Sequence, residues 1–412
     1  MKRYIRDMPF AGHLLAYCLS EAAAKASRLL VVIVVARCLE AESIGLAAAA
    51  FAAADILKSL TENGVGQRII RASEAELAAT CVTAHRIFWV WCLGLFGLQI
   101  LGGAVVWALS GNPVMFALIA VLAAEYLFMP AGLVQAALAM RAGKLKQTAA
   151  IAGGQVVFAN FATALLVLVM PGPLSLVLPR LMSAPIWLVA MRRLHPWQRQ
   201  AGIAPAPLAP FLRYGASVLG VEVVKAIGPQ ADKLIIGGLM GVEALGYYFL
   251  AFNAGLGLAT SLSQAFATAF FPHLCSSEDR SAALRKAVGL SLCVIAPLVI
   301  LQSLAAPYYV PILFGADWAE LSDIVATLCL AAIPNVIWSA AAQWLRAHDA
   351  AERELLGTTA LTLALIANAV VLAPFGLGAV ATGYVLVAAV TQIGVALPIL
   401  VPAFAPLSRK AS

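Results

Sequence analysis

Ionisable side chains occur at helical spacing inside stretches of this 412-residue chain that are otherwise apolar. Glu21, Lys25 and Arg28 follow one another at i, i+4 and i+7, so they share one helix face. Asp55 and Lys58 are three residues apart and also share a face. A charge near the middle of a bilayer costs roughly 2.5 to 3.5 kcal/mol on insertion scales, so such side chains must face a cavity or another helix.

The basic members of this set are suited to binding phosphate. Charge-assisted hydrogen bonds to phosphate strengthen where water is scarce, and an arginine can bind phosphate through two nitrogens. Arg28 is the leading single candidate, whereas Arg180, between Pro179 and Pro185, could line a cavity or pack against a helix. The candidate substrate-binding residues are Lys25, Arg28, Lys58, Arg180 and Lys225.

The acidic members are candidates for ion coupling, because a carboxylate in an apolar setting can change its protonation. Glu125, with Pro130 after it, is predicted to be the most isolated. Its alternative interpretation is a protonated carboxyl group bonded to a neighbouring helix. Local pairs within one helix, such as Asp55 with Lys58, are an equally open alternative for the others. The candidate ion-coupling residues are Glu21, Asp55, Glu125, Glu222 and Asp232.

A polar stripe with a proline in it occurs in the second half of the chain. Glu222, Lys225, Pro229 and Asp232 fall at i, i+3, i+7 and i+10. Proline removes a backbone donor and kinks a helix. Gly228 and Pro229 are therefore predicted to form a hinge, with a static kink as the alternative.

Composition places these residues in a membrane protein. The chain is 62% hydrophobic and 11% charged, with a mean hydropathy of +0.92, which excludes an aqueous globule. The sequence has no Walker A, H-E-x-x-H or G-x-S-x-G signature. The seven cysteines form no C-x-x-C motif. We expect no catalytic residue, cofactor or metal site, and we do not expect an enzyme.

The predicted fold is an all-α integral membrane protein with twelve spans, because about 20 apolar residues cross a bilayer. The predicted limits are 12–38, 43–63, 83–109, 114–138, 147–170, 173–191, 211–239, 243–271, 282–306, 320–346, 354–373 and 376–402. With both termini in the cytoplasm, 20 of the 27 lysines and arginines fall on the cytoplasmic side. The net charge of +7 is thus explained by topology and does not indicate nucleic-acid binding.

A weak internal repeat divides the chain. An offset of 201 residues superimposes Glu21 on Glu222, Gly45 on Gly246 and Phe51 on Phe252. Because six predicted spans separate the copies, the two halves have the same orientation. The predicted division is a six-helix bundle over 1–191, a cytoplasmic linker over 192–210 and a second bundle over 211–412.

Four blocks of sequence carry a family resemblance. They are ARCLEAESIGL (36–46), TENGVGQRIIR (61–71), DKLIIGGLMGVEALGYY (232–248) and AFFPHL (269–274). The chain resembles the Wzx-like polysaccharide-export flippases of the multidrug/oligosaccharidyl-lipid/polysaccharide (MOP) superfamily. The resemblance implies two bundles around a central cavity and alternating access. Twelve predicted spans depart from the fourteen expected for lipid II flippases.

The resemblance implies a flippase in the bacterial inner membrane that moves a polyprenyl-diphosphate-linked oligosaccharide to the outer leaflet. Its expected partners are that substrate and membrane lipid, with a polysaccharide polymerase or export machinery as a further candidate. A multidrug exporter of the same superfamily is the main alternative. An integral-membrane glycosyltransferase or polymerase is the alternative from another class.

Overall fold

The structure is a computed structural model that describes residues 27–28, 30–199, 202–257, 279–348 and 350–404. Helices are the only regular secondary structure in those ranges. Large apolar side chains such as Val90, Leu165 and Val390 are exposed on the helices, as expected for surfaces that contact lipid.

The helices of the first part of the chain run from α1 to α9. They are α1 (27–28 and 30–38), α2 (Ala41–Ser59), α3 (Val65–Arg71), α4 (Glu74–Ser110), α5 (Pro113–Ala123), α6 (Pro130–Arg141), α7 (Leu145–Val169), α8 (Pro173–Leu194) and α9 (Ala209–Met240). A short 3₁₀ segment, Ala124–Leu127, separates α5 from α6.

The remaining helices follow in the second part of the chain. They are α10 (242–257), α11 (Arg280–Phe314), α12 (Leu321–Cys329), α13 (Ala332–Ala347), α14 (Ala351–Leu372) and α15 (Leu377–Phe404). Two 3₁₀ segments, Ala316–Trp318 and Ala373–Phe375, lie before α12 and α15.

Seven helical stretches in the described ranges are long and apolar enough to cross a membrane, and an eighth is added if the bent pair α5–α6 is one span. These eight coincide with predicted spans 3 to 6 and 9 to 12. Predicted spans 1 and 8 extend beyond the described residues. The number twelve and the cytoplasmic location of the termini therefore stay predictions.

Two differences from the predicted elements affect the fold. The short helix α3 lies where no helix is predicted, and its Val65 and Ile69 are buried in a cluster with Phe88 and Phe211. Seven residues are too few for a hydropathy signal. The helix α4 begins at Glu74, nine residues before the predicted start of its span, because the polar first turns extend the helix beyond the apolar stretch.

The described residues divide into two compact units. One contains the described part of Met1–Leu39 together with Leu46–Ala226, and the other contains Glu40–Gly45 and the described part of Ile227–Ser412. The helices α2 and α9 both continue from one unit into the other. The predicted bundle limits of 191 and 211 stay predictions, and the boundary between the units falls inside α9.

The predicted linker is held against the first unit at its described residues. Thr83 Oγ1 donates to the carbonyl of Ala206 at 2.9 Å, and Lys144 Nζ donates to the carbonyl of Leu194 at 2.8 Å. His85 packs against the ring of Trp197 with centroids 5.3 Å apart. Basic residues near this surface thus also cap backbone carbonyls, which stabilises the ends of the helices.

Candidate functional site

The candidate site of the first unit begins at a break in the helix pair α5–α6. The two helices meet at 52°, and Glu125 lies on the 3₁₀ segment between them. Pro130 occupies the first turn of α6, where its missing N–H leaves no extra donor unsatisfied. The break therefore places the Glu125 carboxylate inside the unit, where the residue is 5% exposed.

Two other helices bring charged side chains to Glu125. The C-terminal part of α2 contributes Asp55 and Lys58, and its end is fixed by a 2.8 Å hydrogen bond from Trp91 Nε1 to the carbonyl of Leu60. The helix α8 contributes Arg180, one turn before Ser183, whose hydroxyl donates to the Arg180 carbonyl at 2.8 Å.

The four side chains form a linear network, which we call the charged tetrad (Asp55, Lys58, Glu125 and Arg180). Arg180 Nη1 donates to Asp55 Oδ1 at 2.6 Å, and Arg180 Nε donates to Glu125 Oε2 at 2.9 Å. Lys58 Nζ donates to the other oxygen, Glu125 Oε1. Each carboxylate therefore faces a cation, and the formal charges of the tetrad cancel.

The tetrad is buried at its centre and open at its ends. The side chains of Glu125 and Arg180 are 6% and 18% exposed, whereas those of Lys58 and Asp55 are 36% and 40% exposed. A buried charge is tolerated when hydrogen-bonded partners offset its loss of water, which is the situation of Glu125. The accessible ends allow another ion to approach one cation and one anion of the network.

This arrangement changes two interpretations made from spacing. Asp55 and Lys58 share a helix face, yet each bonds to a residue of another helix instead of to the other. Glu125 is not isolated, because two cations hold it. An i, i+3 rule relates residues of one helix only, so it cannot predict pairing between side chains of different helices.

The other predicted site residues are distributed as follows. Glu21 and Lys25 lie outside the described residues, as does the side chain of Lys225. Arg28 is exposed on α1, and Glu222 is half-buried on α9. The structure thus brings together four of the ten predicted charges, namely those of the tetrad.

Asp232 lies in the second unit in a separate buried cluster. Tyr248 Oη donates to Asp232 Oδ2 at 2.8 Å, and both residues are buried. Lys233, 7% exposed, has its Nζ 3.5 Å from Asp232 Oδ1 and 4.8 Å from the centroid of the Phe252 ring. Lys233 is thus buried against an aromatic face and does not extend to the membrane interface. The sequence analysis did not identify Tyr248, because it searched for charged residues and the charge of α10, on Glu243, is exposed and does not point to the buried Tyr248.

The predicted hinge lies in an unbroken helix. The helix α9 continues through Gly228 and Pro229, and the unit boundary falls at Ala226 and Ile227, just before them. A Cβ at Gly228 would lie 2.7 Å from Thr362 Oγ1. Close packing against α14 is thus a sufficient reason for glycine at this position, and hinge motion stays a proposal. Among the described residues, no group of three or more metal-binding side chains occurs.

Comparison with known proteins identifies the family. The family described as "Polysaccharide biosynthesis protein" matches residues 34–323, which is more than half of the chain. The chain belongs to this family. Among curated proteins, the Escherichia coli K12 lipopolysaccharide biosynthesis protein WzxC is 23% identical over 129 residues, which cover 30% of this chain and 26% of that relative.

Solved structures share the fold of this polysaccharide biosynthesis family member. The lipid II flippase MurJ in an inward closed conformation matches with a TM-score of 0.79 and 12% identity, covering 95% of this chain and 89% of MurJ. An inward-facing MATE multidrug transporter of the MOP superfamily matches with a TM-score of 0.71 and 15% identity, covering 94% and 96%. The chain therefore shares the fold that the resemblance implies, that of MOP-superfamily transporters. At these identities the structures show the fold alone.

Proposed function

We propose that this protein is a flippase that moves a polyprenyl-diphosphate-linked oligosaccharide from the cytoplasmic to the outer leaflet of the bacterial inner membrane. Membership of the polysaccharide biosynthesis family supports the substrate class, and the MOP fold supports transport. The observation that carries the proposal is the charged tetrad, which holds two cations within an apolar protein. No covalent chemistry is needed, because binding and alternating exposure suffice.

The tetrad can exchange carboxylate for phosphate. In the unloaded protein, Glu125 and Asp55 neutralise Lys58 and Arg180, so neither cation is left unpaired. A diphosphate that approaches the open Lys58 end also offers acceptor oxygens and carries a greater negative charge. The cations then bind the substrate, and Arg28, together with Lys25 and Lys225, adds positive charge elsewhere on its path.

The same exchange provides a route to ion coupling. When phosphate takes a cation from Glu125, the buried carboxylate loses part of its compensation, which favours uptake of a proton. Asp55, Glu21, Glu222 and Asp232 are the other carboxylates proposed for coupling. Bending at Gly228 and Pro229 is the proposed hinge motion that accompanies transport.

A multidrug exporter is the second candidate, favoured by the fold shared with the MATE transporter. Cationic drugs require a binding region with excess carboxylate. The tetrad has no net negative charge, so it offers a cationic drug no excess of anion. The same neutrality gives an anionic substrate no excess of cation, so it is membership of the polysaccharide biosynthesis family that favours the lipid-linked substrate.

The test is mass spectrometry of polyprenyl-linked lipids from cells that lack this protein and have an intact sugar supply. We expect one complete repeat unit to accumulate on its diphosphate lipid while the surface polymer disappears. Complementation with the wild-type chain restores the polymer, and empty vector is the control. An unchanged lipid pool with increased sensitivity to cationic dyes would instead establish the exporter.

A further inference from the structure

A cavity lies beside the first turns of α4, within the first unit. The α4 residues that line it, between Glu74 and Val82, recur at i, i+3, i+4, i+7 and i+8, so they share one helix face. Leu138 of α6 and residues of the predicted linker, among them His195 and Trp197, supply the rest of the lining. We call this space the linker cavity.

Hydrogen bonds fix the linker before and after the residues that line the linker cavity. Lys144 Nζ donates to the carbonyl of Leu194 at 2.8 Å, immediately before His195. Further along, the backbone N–H of Ala206 donates to the carbonyl of Ala79 at 3.3 Å. The linker cavity is therefore bounded by a segment that is already attached to α4 and to the start of α7, as in a preformed binding site.

The size and lining of the linker cavity suit one large apolar side chain. Its volume is about 280 Å³, just below the range of roughly 300 to 1,000 Å³ that is typical of pockets for a whole small-molecule ligand. Leu77 and Leu138 contribute apolar surface. His195 Nδ1 is buried and has no hydrogen-bond partner among the described residues. Anchor side chains of protein partners occupy small pockets, and a polar group beside the anchor can satisfy such an atom.

The position of the linker cavity along α4 argues against a lipid tail as its occupant. The cavity lies beside residues 74–82, and the predicted apolar span begins only at residue 83. A helix rises about 1.5 Å per residue, so most of this stretch extends beyond the hydrocarbon. In the predicted topology this end of α4 is on the cytoplasmic side. A segment of a cytoplasmic protein can reach it from water.

The surroundings of the linker cavity carry an excess of positive charge. Glu74 at the cavity is paired with Arg141, whose Nη2 donates to Glu74 Oε1 at 2.7 Å, and Glu76 is the other acid of this turn. Three exposed arginines flank the lining residues of the linker, namely Arg192, Arg193 and Arg199. Such a surface attracts an acidic segment and repels a basic one.

The ends of this chain do not match that charge. Residues 1–10 (MKRYIRDMPF) contain three cations and one acid, and residues 405–412 (APLSRKAS) contain two cations and no acid. A second copy of the chain would present the same basic surface. Like charges brought together across an interface are unfavourable, so an acidic segment of a different protein fits best.

We propose that the linker cavity is a docking pocket for an acidic segment of a different, cytoplasmic protein, which inserts one aromatic side chain between α4 and the linker. The arginines around the cavity pair with the acids of that segment, as arginine clusters do in the recognition of acidic motifs. The pocket is lined by none of the charged tetrad, so this inference goes beyond the proposed transport and does not depend on its substrate.

The test measures peptide binding by fluorescence anisotropy to the purified full-length protein in phosphatidylcholine nanodiscs. The probe is a fluorescein-labelled pentapeptide with phenylalanine between two pairs of glutamates, and the reference peptide has alanine in place of phenylalanine. We expect the phenylalanine peptide to bind about ten-fold more tightly or better. Ala78→Trp, which fills the cavity from an exposed position of α4, should abolish this preference. Ala75→Trp is the matched control, since Ala75 is exposed on the same helix but does not line the cavity.

Arg199→Glu tests the charge separately from the cavity. It should weaken both peptides several-fold and leave the preference for phenylalanine intact. Equal affinity for the two peptides, or a preference that survives Ala78→Trp, would overturn the proposal. Loss of the preference in nanodiscs that contain phosphatidylglycerol would also overturn it and assign the cavity to anionic lipid. No polysaccharide is present, so failure of the docking pocket and failure of the proposed flippase give different results.

Discussion

Single charged residues show what spacing can and cannot predict. The sequence identifies Asp55, Lys58, Glu125 and Arg180 as intramembrane charges because each interrupts an apolar stretch. It does not identify their partners, since those lie 55 to 125 positions apart for the bonds of Arg180. Long-range pairing depends on how helices pack, and no local pattern encodes it.

Arg180 is the residue on which the tetrad depends, because it alone bridges two carboxylates. We expect Arg180→Gln to abolish polysaccharide export. Breaking a fully buried ion pair costs roughly 3 to 5 kcal/mol, and the cost here is lower since Asp55 is partly exposed. Arg180→Lys should retain partial export, because it keeps the charge without the two-pronged geometry. Surface polymer and protein abundance in the membrane are the measurements.

Lys146→Gln is the matched control for Arg180, since Lys146 is an exposed cation of α7. This substitution should leave both the surface polymer and the protein abundance in the membrane unchanged. Full export by Arg180→Gln at normal abundance would contradict a role of the tetrad in binding substrate.

Tyr248 offers a separate prediction in the second unit. Tyr248→Phe removes the donor to the buried Asp232 carboxylate and leaves that group less satisfied. The expected cost is about 1 to 3 kcal/mol in the free energy of unfolding. Tyr247→Phe is the control, because the Tyr247 ring contact with Trp318 survives the change. The measurement is thermal unfolding in detergent. The midpoint temperature should be lower for Tyr248→Phe than for the wild type and nearly unchanged for Tyr247→Phe.

At the scale of helices, hydropathy finds the elements but not their breaks. The eight apolar stretches are evident in the sequence because each exceeds the length that a bilayer requires. The predicted hinge at Gly228 and Pro229 lies within the continuous helix α9 and stays a prediction, whereas the break between α5 and α6 was not predicted. A proline permits a kink, and packing decides whether the helix bends.

The packing of α6 on α8 gives a prediction at this scale. A Cβ at Gly132 would lie 2.7 Å from Cζ3 of Trp187 and 3.1 Å from Cδ1 of Leu188. Gly132→Ala should therefore destabilise the protein by about 1 to 3 kcal/mol through overpacking. Gly153→Ala, where a Cβ meets nothing within 4 Å, should be neutral or stabilising by about 0.5 to 1 kcal/mol.

Thermal unfolding of both glycine variants measures these two opposite changes in stability. Trp187→Phe, combined with Gly132→Ala, should recover part of the loss because it frees space beside the new methyl group. A Gly132→Ala protein as stable as Gly153→Ala would show that α6 and α8 can separate without cost.

At the scale of the whole molecule, composition predicts the class, and the arrangement in two repeat-related bundles stays a prediction. An all-helical membrane protein follows from apolar content alone. The division into two units is harder to predict from the sequence, because the unit boundaries fall inside α2 and α9, which continue without a break in the helix. The sequence carries no boundary signal at Ala226, whereas the prolines of the linker mark a segment that packs on the first unit.

Orientation in the membrane is the whole-molecule property that the charges predict and that labelling can test. The bias of lysine and arginine places the turn after α4 and the turn before α15 outside, and the starts of α7 and α14 inside. In a background in which the seven native cysteines are replaced by serine, a membrane-impermeant maleimide should label Ser110→Cys and Phe375→Cys in intact cells. It should label Gln147→Cys and Glu352→Cys only after permeabilisation. All four positions are exposed, so accessibility within the protein does not limit the reaction. The reverse pattern would contradict the orientation that the charges predict, and a mixed pattern would require a different number of spans.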